Sequence, residues 1–70
     1  MSHFGKNIKR IREERQMTLQ ELAVKARIGT NSLMKYEEGE KIPDTPTVLK
    51  FSTVLDVPAS SLLEDRTPAS

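Results

Sequence analysis

Hydrophobic side chains recur every three or four residues along most of this chain, and that spacing is the period of an amphipathic α-helix. The pattern predicts one helix over residues 3–15, a second that follows Thr18 and ends near Arg27, and a third over about residues 30–38. The apolar stripes are Phe4, Ile8 and Ile11 in the first helix, Leu19, Leu22, Ala23 and Ala26 in the second, and Leu33 and Tyr36 in the third.

Polar and small residues at the ends of these stripes support the same boundaries. Thr18 is a favourable N-cap, and Glu21 three residues later completes a capping-box pattern. Gly39 is well placed to end the third helix, and Pro43 prevents its immediate continuation. Gly5, by contrast, is expected to weaken the first turn of the first helix.

Two further helices are predicted after that proline. Asp44 or Thr45 can cap the fourth helix, and a short fifth helix covers about residues 58–63. No segment has the alternating pattern of a β-strand, so the predicted fold is all-α, a compact bundle of five short helices. We expect a single domain over residues 1–65 and a disordered tail over residues 66–70. The stripe of the fourth helix consists of Val48, Phe51 and Leu55.

Length and composition exclude several functional classes. Seventy residues allow only one small domain, and with no cysteine and a single histidine, His3, we expect no disulfide, metal or cofactor. The three glycines are isolated, so there is no phosphate-binding glycine loop, and we expect neither an enzyme nor a small-molecule pocket. No apolar run approaches the length of about 20 residues that spans a bilayer. We therefore expect a cytoplasmic protein.

The distribution of charge is more informative than its total. The chain carries eleven Lys and Arg residues against ten Asp and Glu residues, a net charge of +1. Residues 1–41 contain nine of these cations and six of the anions, whereas the remainder of the chain is net negative. This asymmetry has the sign expected for nucleic-acid binding, but it is modest.

The second and third predicted helices are joined by a break too short for an independent loop, which is the helix-turn-helix plan. Ala23 is small where the two helices would cross most closely. The outward face of the third helix is mostly polar and free to contact a partner. Its members are Thr30, Asn31, Met34, Lys35 and Glu38.

Residues 19–38 resemble the Cro/repressor-type helix-turn-helix family of bacterial and phage transcription regulators. The likeness continues into the segment 37–43, which is similar to the family's Glu-x-Gly-x-x-x-Pro pattern, and through Leu62 and Leu63. It therefore covers about residues 4–65. The resemblance implies a lambda-repressor-like DNA-binding domain whose third helix enters the major groove while the second lies across the DNA backbone.

The resemblance also implies roles for individual residues. Asn31 and Lys35 match base-reading positions, and their side chains suit adenine and guanine edges respectively. Thr30 matches a third base-reading position, and the chemistry of Met34 suits a thymine methyl group. Ser32 matches a position near the backbone or a thymine methyl. The expected phosphate contacts are Thr18, Lys41 and Thr45.

The sequence departs from the family at the turn. Arg27 stands where the family often has glycine, so we expect it to adopt a left-handed backbone conformation. The third helix opens on Gly29 rather than on serine or threonine. Leu19 occupies a position that often carries a phosphate-binding glutamine, which removes that contact.

Two structural pairings are also expected. Arg12 and Glu37 both flank apolar faces and match the family's charged pair, so we expect a salt bridge between the first and third helices.

One short recognition helix contacts few base pairs, which favours a homodimer on a double-stranded DNA operator. The candidate dimer surface consists of Val54, Val57, Leu62 and Leu63, although Leu62 is equally suited to the core.

A sequence-specific regulator of transcription, in particular a repressor, is the function that these observations favour. The alternative is a protein-interaction module, such as the helix-turn-helix domain of an antitoxin or a scaffold protein. Salt-dependent, saturable binding to duplex DNA distinguishes the two.

Overall fold

A computed structural model describes residues 3–64 of the chain, and within this range all regular structure is helical. The all-α class and the five predicted helices are confirmed. The predicted tail over residues 66–70 lies outside the described residues, as do residues 1, 2 and 65 of the predicted domain. The helices are α1 (Phe4–Glu14), α2 (Leu19–Ala26), α3 (Thr30–Glu38), α4 (Thr45–Leu55) and α5 (Ala59–Leu63).

One hydrophobic core joins all five helices. α1 packs against α3, α4 and α5, while α2 packs against α3 and α4. Three aromatic rings from α1, α3 and α4 meet edge to face at its centre, with centroids 5.4 to 6.3 Å apart. This arrangement suits the quadrupoles of aromatic rings. These rings belong to Phe4, Tyr36 and Phe51.

Side chains cap the starts of α2 and α4. The amide of Glu21 donates to Thr18 Oγ1 at 3.0 Å, and the amide of Thr18 donates to Glu21 Oε1 at 2.9 Å, which forms the expected capping box. At α4 the amide of Thr47 donates to Asp44 Oδ1 at 3.0 Å. Asp44 is therefore the N-cap, and Thr45 is the first helical residue.

Left-handed residues follow the C-terminal ends of α2, α3 and α4. Arg27 has φ = 57°, as its position in the turn predicts, and Asp56 has φ = 56°. Gly39, with φ = 82°, ends α3. Such residues let the chain leave a helix while its last carbonyl groups still accept hydrogen bonds.

Gly5 has a role that the sequence does not indicate. Its backbone lies against the carbonyl groups of Tyr36 and Glu37 at the end of α3, and a Cβ atom at Gly5 would overlap the Tyr36 carbonyl. The glycine is therefore the residue that permits α1 to approach α3 so closely. Its effect on the first turn of α1 is secondary to this packing.

Buried Asn7 ties α1 to the end of α5. Its Nδ2 donates to the carbonyl oxygens of Leu62 and Glu64, each at 2.8 Å. The last carbonyl groups of a helix lack partners within that helix, so this amide satisfies groups that would otherwise be left unpaired. A five-residue helix is too short to be stable alone and depends on such contacts.

The burial of Leu62 shows that the predicted dimer surface is wrong at this residue. Its side chain is 0% exposed and belongs to the core, whereas Leu63 is 52% exposed. A fully buried side chain cannot contact a second chain, so Leu62 is removed from the candidate surface. None of the helices within residues 3–64 is long and apolar enough to cross a membrane.

Candidate nucleic-acid interface

The helix-turn-helix unit is formed by α2, α3 and the three residues between them. The amide of Ile28 donates to the carbonyl of Ala23 at 3.0 Å. The amide of Leu33 donates to the carbonyl of Gly29, also at 3.0 Å. Ala23 and Leu33 are both buried. The turn therefore fixes α3 against α2 through backbone hydrogen bonds and core packing.

α3 has one buried face and one exposed face. Leu33 and Tyr36 point into the core, whereas Asn31, Lys35 and Met34 are exposed. Thr30 and Ser32 lie at the boundary and are half-buried. Residues three, four and seven apart share a helix face, so Glu38 lies on the same exposed stripe as Asn31 and Lys35. The exposed stripe of α3 (Asn31, Met34, Lys35 and Glu38) is the surface available to a partner.

A partly buried ion pair fixes α3 to α1. Arg12 Nε lies 2.8 Å from Glu37 Oε2, and Nη2 lies 3.2 Å from Oε1, so the contact is bidentate. The third donor, Arg12 Nη1, binds the carbonyl of Met17 at 2.9 Å. The side chains are only 13% and 7% exposed. The hydrogen bond to Glu37 raises the pKa of Arg12 above its ordinary value despite partial desolvation.

The C-terminal end of α3 is also fixed by the segment that follows it. The amides of Glu40 and Lys41 donate to the carbonyl of Lys35 at 2.9 and 3.2 Å. Lys41 Nζ lies 5.3 Å from the centroid of the Tyr36 ring, within cation–π range. This contact holds an exposed cation beside the end of α3.

Two of the expected phosphate contacts lie at helix starts. Thr18 is the N-cap of α2, and Thr45 is the first residue of α4; both are exposed. The partial positive charge of a helix N-terminus favours anions there. Asp44, however, places a carboxylate beside Thr45, and the hydrogen bond from Thr47 lowers the pKa of that carboxyl. The start of α4 is therefore less attractive to phosphate than its dipole alone indicates.

The remaining members of the candidate dimer surface lie near the end of α4 and on α5. Val54 and Val57 are half-buried and pack against the core, and Leu63 is exposed. We call these three residues the α4–α5 patch. The patch lies on elements that pack against α1 and against each other, whereas the exposed stripe lies on α3, which packs against α1 and α2.

Sequence reasoning missed two contributions to this site. The contact of Gly5 with the end of α3 and the hydrogen bond from Arg12 to Met17 depend on tertiary packing. Glu38 was visible as a residue of the outward face, and its seven-residue distance from Asn31 was the signal for its place on the stripe. Residues 3–64 contain no group of His, Asp and Glu side chains able to hold a metal ion.

Comparisons with known proteins agree with this geometry. A family model described as a helix-turn-helix domain matches residues 5–65. The chain is 41% identical over 60 residues to the HTH-type transcriptional regulator ImmR of Bacillus subtilis. This match covers 86% of this chain and 47% of that protein. It is 32% identical over 62 residues to the cryptic phage CTXphi transcriptional repressor RstR of Vibrio cholerae, covering 89% and 56% respectively.

A solved structure gives the same fold. The restriction-modification controller protein C.AhdI from Aeromonas hydrophila superposes with a TM-score of 0.82 at 21% identity, covering 89% of this chain and 94% of that one. At this identity the likeness concerns the fold alone. The chain spans about half the length of the curated relatives that it matches.

Proposed function

This chain belongs to the helix-turn-helix domain family, and we propose on that basis that it binds double-stranded DNA at a specific sequence and regulates transcription. The named relatives are transcriptional regulators and a repressor rather than enzymes, which supports repression as the mode of regulation and a non-catalytic role. DNA recognition of this kind requires no cofactor, and its place of action is the cytoplasm, on the nucleoid.

The observation that carries this proposal is the two-sided character of α3. Its inner face is buried and its C-terminal end is bonded to α1, while Asn31 and Lys35 are exposed on the opposite face. A helix that is fixed on its buried face and polar on its exposed face can enter the major groove without a change of conformation. Asn31 then reads adenine N6 and N7, Lys35 reads guanine O6 and N7, and Met34 contacts a thymine methyl. Thr30, at the start of the helix, completes the set of base-reading residues.

Contacts to the DNA backbone position the helix in the groove. Lys41 is exposed beside the end of α3, and Thr18 and Thr45 lie at the starts of α2 and α4. Ser32 lies at the edge of the exposed face, where it meets the backbone or a thymine methyl. Such contacts fix register without specifying sequence.

The working unit in this proposal is a homodimer on a two-fold operator. One recognition helix contacts few base pairs, whereas two helices with half-sites about 34–36 Å apart double the interface. The α4–α5 patch is the surface that we assign to the second copy. Because Val54 and Val57 are half-buried, the patch is small, so the proposed dimer is weak in the free domain and is completed on DNA or by a further region of the protein.

Binding measurements after selection of sites from a random duplex library test the proposal. Asn31→Ala is expected to lose about 1–3 kcal/mol on the best site and little on random DNA. Lys41→Ala is expected to weaken binding to all sequences equally and to lower the salt dependence by about one phosphate. A palindromic site is expected to bind two chains, and more tightly than a single half-site.

Three outcomes would contradict parts of this proposal. An equal loss for Asn31→Ala on specific and random DNA would remove its base-reading role. One chain per palindromic duplex would leave the monomer as the functional unit. No saturable binding to any duplex would instead favour a protein-interaction module.

A further inference from the structure

Lys9 lies on α1 at the place where that helix packs against the end of α3. Four residues before it, the backbone of Gly5 lies against the carbonyl groups of Tyr36 and Glu37. Three residues after it, Arg12 binds the carboxylate of Glu37 at 2.8 Å. Residues three and four apart share one face of a helix, so Lys9 lies on the face of α1 that is turned toward the end of α3.

The side chain of Lys9 is nevertheless on the surface of the protein. Gly5 is buried and the side chain of Arg12 is only 13% exposed, whereas Lys9 is exposed. Successive residues of a helix are about 100° apart around its axis, which places Lys9 roughly 40–60° outward of both of these neighbours. The ammonium group of Lys9 is therefore accessible to a partner at the outer edge of the contact between α1 and α3.

This edge borders the exposed stripe of α3. Glu38 belongs to that stripe and directly follows Glu37, the residue of α3 that faces α1. A hydrogen bond with Glu40 raises the pKa of the Glu38 carboxyl, and the positive charge of Lys9 acts in the opposite direction, which agrees with a position of Lys9 close to the stripe. Lys9 therefore lies beside the surface that faces DNA in the proposed function.

Charges of both signs surround Lys9. Glu38 on α3 and Glu13, one turn later on α1, are exposed anions, and Lys6, one turn earlier, is an exposed cation. Neither carboxylate forms an ion pair with Lys9 in the part of the chain that the structure describes. An ammonium group has three hydrogen-bond donors. Lys9 can therefore bind a further anion while its charge still offsets that of Glu38.

From this position we infer that Lys9 binds a phosphate group of the DNA backbone beside the end of α3. The inference rests on the proposed function and adds a contact from α1 to the backbone contacts assigned above. The N-terminal residues of a recognition helix reach the base edges, so its C-terminal end lies nearer to the sugar–phosphate backbone. Such a contact contributes to affinity for every sequence and carries no sequence information itself.

Lys9→Gln tests the inference, because it removes the charge and keeps a long side chain of similar helix propensity. Affinity is measured over a range of salt concentrations on a random-sequence duplex and on a duplex with one selected half-site, so that dimerisation does not contribute. We expect the slope of log affinity against log salt to become shallower by about 0.9, the value for one phosphate. At 0.1 M salt this corresponds to a loss of about five- to tenfold, equal on the two duplexes.

Lys50→Gln is the matched control for the loss of one positive charge. Lys50 is an exposed lysine on α4, five residues after Thr45 and therefore about 140° around the helix from the backbone contact proposed there. We expect this variant to change the slope much less than Lys9→Gln does. Circular dichroism spectra that match the spectrum of the unmodified chain show that both variants keep the fold.

A second background separates contact with phosphate from compensation of Glu38. If Lys9 only neutralised that carboxylate, its removal would have no effect once Glu38→Gln had removed the negative charge. A direct contact with phosphate is lost in either background. We therefore expect Lys9→Gln to reduce the salt dependence by the same amount with and without Glu38→Gln.

The outcomes distinguish this inference from the proposed function. If the unmodified chain binds no duplex, the proposed function itself fails. If it binds, but Lys9→Gln changes the slope no more than Lys50→Gln does, Lys9 does not contact phosphate. A loss confined to the selected half-site would mean that Lys9 contacts a base, and a loss that disappears in the Glu38→Gln background would mean that it only compensates Glu38. Each of these three results would overturn the inference.

Discussion

The two ends of α3 are held in different ways. At its C-terminal end Glu37 binds Arg12, the backbone of Gly5 lies against the last carbonyl groups, and Gly39 ends the helix in a left-handed conformation. At its N-terminal end the N-cap is Gly29, which has no side chain to bind the first amides. The comparison teaches that an ion pair and a close backbone contact fix the end of α3 that is farther from Asn31, whereas the end nearer to Asn31 is held by the turn and by packing on α2, without a side-chain cap.

The ion pair is the strongest attachment of the C-terminal end, and Glu37→Ala breaks it. The substitution leaves the guanidinium of Arg12 mostly buried without its carboxylate, and removing one partner of a buried pair costs about 3–5 kcal/mol. Chemical denaturation measures the loss as a lower midpoint. The matched control is Glu14→Ala, which removes the exposed pair of Arg10 and Glu14 at 3.5 Å. That variant is expected to lose only about 0.3–0.5 kcal/mol. Equal midpoints for the two variants would mean that the attachment contributes no more than a surface pair.

Gly5→Ala tests the close approach of α1 to α3. Helix propensity alone favours alanine by up to about 1 kcal/mol. The Cβ atom, however, would overlap the backbone carbonyl of Tyr36, which cannot rotate away as a side chain would. We expect a net loss of about 1–3 kcal/mol in the free energy of unfolding. A gain in thermal stability would show that α1 and α3 can separate without cost.

Gly29→Ser tests the N-terminal end of α3, which lacks a side-chain cap. The space around Gly29 is open, with no heavy atom within 4 Å of a Cβ built there, and its φ of −69° suits any residue. A serine at an N-cap is more stable than glycine by a few tenths of a kcal/mol. We expect a small rise in melting temperature. A fall would indicate that the turn between α2 and α3 requires the flexibility of glycine.

The sequence was sufficient for features that depend on neighbours along the chain. Thr18 and Glu21 form their capping box within four residues, and Arg27 adopts its left-handed conformation because α2 must end there. The apolar period placed α3 at its observed bounds. Each of these outcomes is determined by local backbone geometry, so the pattern of residue types is enough to predict it.

Features that depend on distant contacts could not be read in the same way. Gly5 was expected only to weaken a helix, because its contact with α3 involves a carbonyl more than thirty residues away. Adjacent Leu62 and Leu63 are chemically identical, and only the docking of the short α5 decides that Leu62 is buried and Leu63 exposed. For the candidate site, the exposed stripe followed from the helical period. The position of Lys9 on α1 near Glu38, at the end of that stripe, depends on tertiary packing and could not be predicted.

The hydrogen bonds from Asn7 to the end of α5 have a consequence for how the domain is made. They join residues 55 and 57 positions apart, so they close almost the whole folded chain into one loop. The loss of chain entropy in such a closure costs about 3–4 kcal/mol of free energy. This cost is offset only by the contacts that form when α5 docks. During synthesis, α1 therefore emerges first but gains its last partners only when residues 62–64 have left the ribosome. We therefore expect a nascent chain shorter than residue 64 to lack the hydrogen bonds that join α1 to α5.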